Sequence, residues 1–196
     1  MRQSWGCSSE DVVVGQVASL HTSKGIWDIL DIASELCSHY DRLKFVLVGD
    51  DRAETGEGPK LREVIWQKNL QEKVVLPGYL SNIEMVYGAM DITLCIFGKH
   101  LGGVGRQAYE AALAGKPLIA TLPNPERSET IKHGITGLAF RASDNHAILK
   151  SLQELIESQE KRKELGRRAK MAISERHSPI YVAQKVLSIY NSLIRS

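Results

Sequence analysis

No apolar run in this sequence approaches the ~20 residues needed to span a bilayer, and the densest stretch, residues 92–97, has the length of a strand. The opening residues carry one arginine but no apolar leader core, so they do not read as a secretory signal. Cysteine is scarce. Cys7, Cys37 and Cys95 are odd in number, widely spaced and without a C-x-x-C, which argues against a disulfide framework or a zinc site and makes a reducing, cytoplasmic setting the expectation. Neither sign of charge dominates: 25 Lys and Arg against 23 Asp and Glu leave +2, too little to imply a nucleic-acid partner. Internal repeats and low-complexity segments are absent. What remains is a chain of 196 residues, 43% hydrophobic and 24% charged, close to the average for a soluble globular protein. It is long enough for one domain that buries roughly 70% of its unfolded surface.

Residues 1–11 are polar and unpatterned and read as a tail or the remnant of a linker; residues 12–196 form the domain. From there, short apolar runs alternate with amphipathic segments. Residues 12–17 form a near-continuous apolar run, and Ile26, Ile29, Leu30, Ala33, Leu36, Cys37 and Tyr40 recur at helical spacing. Further strands are predicted at 45–48, 74–76, 92–97, 118–121 and 138–140. Helices are expected around Leu61, Val64 and Ile65, at 83–87 and at 104–114, with a helical turn at 128–132. Three helices close the chain. The first presents Ile148, Leu149, Leu152, Leu155 and Ile156 on one face; the second, 160–175, is charged; the last starts near Pro179, with Ile180, Val186, Ile189, Tyr190 and Leu193 as candidate buried positions. Strands apolar throughout need cover on both faces, the mark of a parallel sheet between helical layers. The fold expected is α/β: a doubly wound, Rossmann-like parallel sheet of about six strands with helices on both faces.

Such a fold hosts many activities, so function has to be argued from a site. In an open doubly wound sheet the ligand crevice lies beyond the carboxyl ends of the strands, where the winding reverses. With strand order 3-2-1-4-5-6, the loops after the first and fourth strands meet there. The first runs from Ala18 to Gly25 and carries Lys24; the second carries Lys99, His100, Gly102, Gly103, Val104, Gly105 and Arg106. Each places a cation in or beside the first turn of a helix, against the helix dipole, at about 0.3–1 kcal/mol. A bound anion would reverse the sign of both effects and meet free backbone N–H groups, and the glycines allow its close approach. Taken singly, Lys24 reads as a solvated surface lysine and the glycines as a flexible turn. Their convergence on the crevice is what favours a diphosphate site. The glycines are neither a Walker A loop nor the dinucleotide fingerprint, which belongs after the first strand. Glu110, among Ala108, Ala111, Ala112 and Ala114, has a carboxylate able to accept two vicinal hydroxyls, as on a ribose; from position alone it reads as solvated and paired with Arg106.

The run Gly105 to Thr121, with Gly105-Arg106, Glu110 and Ala114-Gly115-Lys116-Pro117, resembles the signature of glycosyltransferase family 4, the group 1 glycosyl transferases of GT-B fold. Leu20 with Ser23-Lys24-Gly25, residues 45–50, residues 74–79, Glu129, Gly134 and Thr136-Gly137 match in order, so the resemblance covers about residues 12–192. It implies the carboxy-terminal, donor-binding half of a two-domain enzyme that takes a sugar from a nucleotide-sugar with retention of configuration and without an active-site metal or other cofactor. The partners implied are the nucleotide-sugar donor, its base unknown, and an amino-terminal acceptor domain on the same full-length chain or on another. Peripheral membrane association through that half stays open. In the family the end of the chain commonly crosses towards that half, so the resemblance leaves two placements for the last helix: Ile180, Val182, Val186 and Tyr190 partly exposed and inviting association, or the helix packed fully on its own domain. By the same resemblance the residues that carry catalysis are Lys24, which stabilises the leaving diphosphate, and Glu110, which holds the ribose hydroxyls. Donor contacts are expected from Ser19, Gly78, Tyr79, Leu80, Gly102, Gly103, Val104, Gly105 and Arg106, with 78–80 edging the base.

Two positions depart from the family pattern: Ser19 stands where an arginine is usual, and Gly102 where the first of two paired glutamates falls. Lys99, His100 or Arg106 could restore the lost cation. These departures keep two alternatives in view: a non-catalytic nucleotide-binding or interaction module of the same fold, and half of a sugar-nucleotide epimerase.

Overall fold

The computed structural model describes residues 1–50, 57–97, 105–176 and 179–194. Six strands, β1 (Val12–Val17), β2 (Leu43–Val48), β3 (Val74–Gly78), β4 (Ile92–Cys95), β5 (Leu118–Thr121) and β6 (Leu138–Phe140), form one sheet in the order β3-β2-β1-β4-β5-β6. All five pairings are parallel. The helices are α1 (Ile26–Cys37), α2 (Glu57–Gln67), α3 (Ile83–Ala89), α4 (Arg106–Leu113), α5 (Asn145–Glu157), α6 (Gln159–Arg176) and α7 (Pro179–Ile194).

Successive strand residues point to opposite faces, and here both faces are buried. Val14, Phe45, Leu47, Ile92 and Leu94 join the apolar faces of α1, α2 and α5 in one cluster. Val13, Val46, Val48 and Cys95 join α3 and the alanines of α4 in the other. That two-sided cover is why the strands read as continuous apolar runs. The charged helix α6 buries a narrow edge: Ala169 and Ile173 meet Ala112 of α4.

Four local expectations come out differently. Strand β4 ends at Cys95 and not at Phe97, because side chains replace the strand partners beyond it: the Ile96 N–H donates to Gln16 Oε1 (2.8 Å) and the Phe97 N–H to Thr121 Oγ1 (2.8 Å). The helical turn expected at 128–132 forms earlier, at Pro125–Arg127, where proline sits in the first turn. Residues 1–11 do not behave as an unpatterned tail. A short 3-10 turn, Gln3–Trp5, buries Trp5 and Cys7 in the second cluster, and the Arg2 guanidinium pairs with Asp91 at 3.0 Å. At the other end, the candidate buried positions Ile180, Val186, Ile189, Tyr190 and Leu193 of α7 are exposed: among the described residues none buries that helix's apolar side chains, which is the first of the two placements the resemblance leaves open.

Candidate functional site

The sheet winds outward in both directions from the β1–β4 pair, so the loops leaving the carboxyl ends of these strands diverge and open a crevice. The loop after β1 is fixed at several points. His21 caps the 3-10 turn Thr22–Lys24, its Nδ1 accepting from the Ser23 N–H at 3.0 Å. Glu57, the first residue of α2, accepts from the Thr22 N–H at 2.6 Å and from the Thr22 hydroxyl. Gly25 follows at φ +62°, a conformation that favours glycine, and a Cβ there would fall 2.6 Å from Ile96 Cγ2. Beneath the loop, the buried Gln16 amide of β1 donates to the Lys24 carbonyl at 2.7 Å while it accepts from Ile96.

The neighbouring loops complete the floor. Gly49, after β2, lies against the β1 loop so closely that a Cβ would sit 1.7 Å from the Ala18 carbonyl oxygen. Its N–H donates to Gly78 (3.1 Å), and the Leu20 N–H donates to Asp50 (3.2 Å). Gly78 closes β3, and Tyr79 follows with 75% of its surface exposed.

These loops enclose a cavity of about 520 Å³. Ser19, Lys24, Tyr79, Leu80, Arg106 and Glu110 all line it, so six residues singled out in the sequence come together. Gly78 and Gly105 are the chain neighbours of lining residues Tyr79 and Arg106. Gly102, Gly103 and Val104, with Lys99 and His100, lie outside the described residues. The lining also includes Gly49 and Asp50, which belong to the matching run 45–50 but were not among the expected donor contacts.

Charge at the cavity has a definite arrangement. The Lys24 ammonium stands 4.8 Å from the centre of the Phe97 ring, a favourable cation–π placement. Arg106 opens α4. Neither α1 nor α4 has a side-chain cap at its N-terminus, so their first N–H groups are not satisfied by a capping side chain. Glu110 does not pair with Arg106 among the described residues; its Oε2 instead accepts from the Tyr87 hydroxyl at 3.1 Å. Burial, then the adjacent Glu110 carboxylate, push the Tyr87 phenol far above its ordinary value, so it acts as a donor. Below the cavity, burial pushes the Cys95 thiol up to about 12, against the pull of Lys24 and a backbone hydrogen bond from Gly105. Cys37 is raised to about 11 and Cys7 is raised too, both chiefly by burial, so none of the three thiols is poised as a nucleophile. Among the described residues no group of three or more His, Cys, Asp or Glu is placed to hold a metal ion. No described helix is long and apolar enough to cross a membrane. The arrangement suits an anionic, hydroxyl-bearing ligand.

The family model of the group 1 glycosyl transferases matches residues 1–172. The chain is 21% identical over its whole length to N-acetyl-alpha-D-glucosaminyl L-malate synthase of Bacillus anthracis, of which it spans 49%. HepE of Anabaena, solved with UDP and glucose, superposes with a TM-score of 0.82 at 24% identity, over 97% of this chain and 51% of that one. The C-terminal domain of LpcC, a glycosyl transferase group 1 family protein of Francisella tularensis, superposes at 0.75 with 20% identity, over 91% of this chain and 93% of that domain. The chain thus spans about half the length of the first curated relatives it matches.

Proposed function

The chain belongs to the group 1 glycosyl transferases, and from that premise we propose that it is the donor-binding half of a retaining enzyme that moves a sugar from a nucleoside-diphosphate sugar to an acceptor. The carrying observation is that Lys24, Arg106 and Glu110, supplied by two separate segments, line one cavity at the two uncapped helix starts. The diphosphate rests between Lys24, Arg106 and the first N–H groups of α1 and α4. Negative charge grows on it as the bond from the sugar's anomeric carbon to the diphosphate oxygen breaks, and a fixed ammonium stabilises that charge more than the ground state. The two cations neutralise the leaving group with side chains of this chain alone. Glu110, oriented by Tyr87, accepts the ribose hydroxyls, and the base lies along Gly78, Tyr79 and Leu80.

The acceptor side belongs to a second half, consistent with the coverage of about half of the first two curated relatives. The uncovered apolar side chains of α7 fit contact with that half. Ser19, exposed at the cavity rim, supports a second reading in which nucleotide binds but transfer is slow, since a serine supplies no charge where the family pattern has arginine.

Calorimetric titration with UDP, GDP and ADP tests the proposal; UDP comes first because HepE was solved with it. Lys24→Ala is expected to weaken diphosphate binding about ten- to a hundredfold, the worth of a charge-assisted contact, and leave nucleoside binding unchanged. Equal losses for both ligands would remove Lys24 from the phosphates. Glu110→Gln should weaken ribonucleotides and spare 2′,3′-dideoxy analogues. A donor-hydrolysis assay separates the transferase reading from the binding-only one.

A further inference from the structure

We propose that Gln16 is a positioning residue for Lys24, holding the ammonium at the cavity through the main chain without touching the donor; this rests on the donor-site reading above. Gln16 is the one strongly polar side chain of β1 and is 3% exposed. A buried amide has to satisfy both its donor and its acceptor, and here each partner belongs to a different loop. Its Nε2 donates to the Lys24 carbonyl at 2.7 Å, and its Oε1 accepts from the Ile96 N–H at 2.8 Å. Lys24 ends the 3-10 turn, and Ile96 lies just past the end of β4. One side chain therefore ties the lysine loop to the departing end of the neighbouring strand, across the point where the winding reverses.

The tie also fixes what the ammonium rests on. Phe97, whose ring lies under Lys24, has its own N–H and carbonyl both bound by the Thr121 hydroxyl, at 2.8 and 3.2 Å. Gly25 presses against Ile96 on the other side of the same junction. With Lys24's backbone bound to Gln16 and its ammonium over an anchored ring, the cation is placed before any ligand arrives. This is the condition under which a charge stabilises a leaving group without reorganising. Neither Gln16 nor Phe97 is among the cavity-lining residues, so an effect of Gln16 on the donor is indirect, through the Lys24 main chain or the Ile96 end of β4, and the cycle with Lys24→Ala tells the two routes apart.

The test uses Gln16→Met, which keeps the length and removes both bonds, and Gln16→Asn, an amide one methylene shorter that can hold at most one. Each is titrated with whichever of UDP, GDP and ADP binds the wild type, and with the corresponding nucleoside. Gln16→Met should weaken the diphosphate about tenfold with the nucleoside within about twofold, and Gln16→Asn should fall between. On a Lys24→Ala background, Gln16→Met should add less than about a twofold loss, because residues acting as a unit are not additive. Equal losses for diphosphate and nucleoside, or full additivity with Lys24→Ala, would overturn the proposal in favour of a purely structural glutamine. If Gln16→Met does not fold, Gln16→Asn and its own cycle with Lys24→Ala are judged by the same criteria. Diphosphate affinity unaffected by Lys24→Ala would defeat the donor-site reading. A loss with Lys24→Ala but none with either Gln16 variant would defeat the positioning role alone.

Discussion

The two ends of the described chain reverse what their sequences suggest. Residues 1–11 have no apolar periodicity, yet Trp5 is 4% and Cys7 5% exposed. Helix α7 has apolar residues at helical spacing, yet Ile180 is 71%, Ile189 59% and Leu193 66% exposed. Spacing reports that a segment can present an apolar face, whereas burial depends on whether a partner surface is there to receive it. The opening segment has such a partner in the second core cluster and a specific anchor in Asp91, which accepts from both Arg2 (3.0 Å) and the Val13 N–H (2.8 Å).

The comparison can be broken most decisively at Trp5. Trp5→Ala is expected to destabilise the chain by about 3–5 kcal/mol in urea unfolding; a loss near zero would mean that the segment only rests on the core. Arg2→Met should cost about 1–3 kcal/mol, since its guanidinium meets Asp91 and the Ala89 carbonyl while only 26% exposed. A smaller effect comes from Asp11. Burial pushes its carboxyl up, but hydrogen bonds from Ser8, with Lys44 and Arg2 nearby, outweigh burial and hold it below its ordinary value. Its contribution is therefore complete above about pH 4 and is lost as pH falls through the lower folded value. An Asp11→Asn variant should show a flatter acid limb in a pH series of unfolding midpoints. At the far end, Ile189→Ala should change stability by no more than about 0.5 kcal/mol. A larger loss from the same substitution in a chain carrying the second half would sharpen the contrast, because α7 would then have its partner.

Much of the fold was legible because the sheet is parallel and covered on both sides, so each strand announces itself as an apolar run. The bounds of β1, β5 and β6 fall where those runs do, and the strand order is the one that placed the crevice between β1 and β4. The cavity residues Lys24 and Arg106 were legible because cations beside helix starts are costly without an anion; Glu110 was legible only through the family resemblance, since from position alone it reads as solvated. Gln16, Gly49 and Tyr87 were not. Each is a single letter inside an otherwise ordinary segment, and its role comes from a contact across the sequence: Gln16 with Ile96, Gly49 with Ala18, Tyr87 with Glu110.

Gly49 also sets how this pocket can be retailored. Any side chain there would collide with the Ala18 carbonyl and lever the β1 loop away, carrying Ser19 and Lys24 with it. Tyr79, three-quarters exposed at the rim of the same cavity, carries no comparable restriction. A saturation library aimed at ligand preference should therefore vary position 79 and its neighbour Leu80 freely and keep glycine at 49, so that diversity is spent on the rim while the floor stays whole.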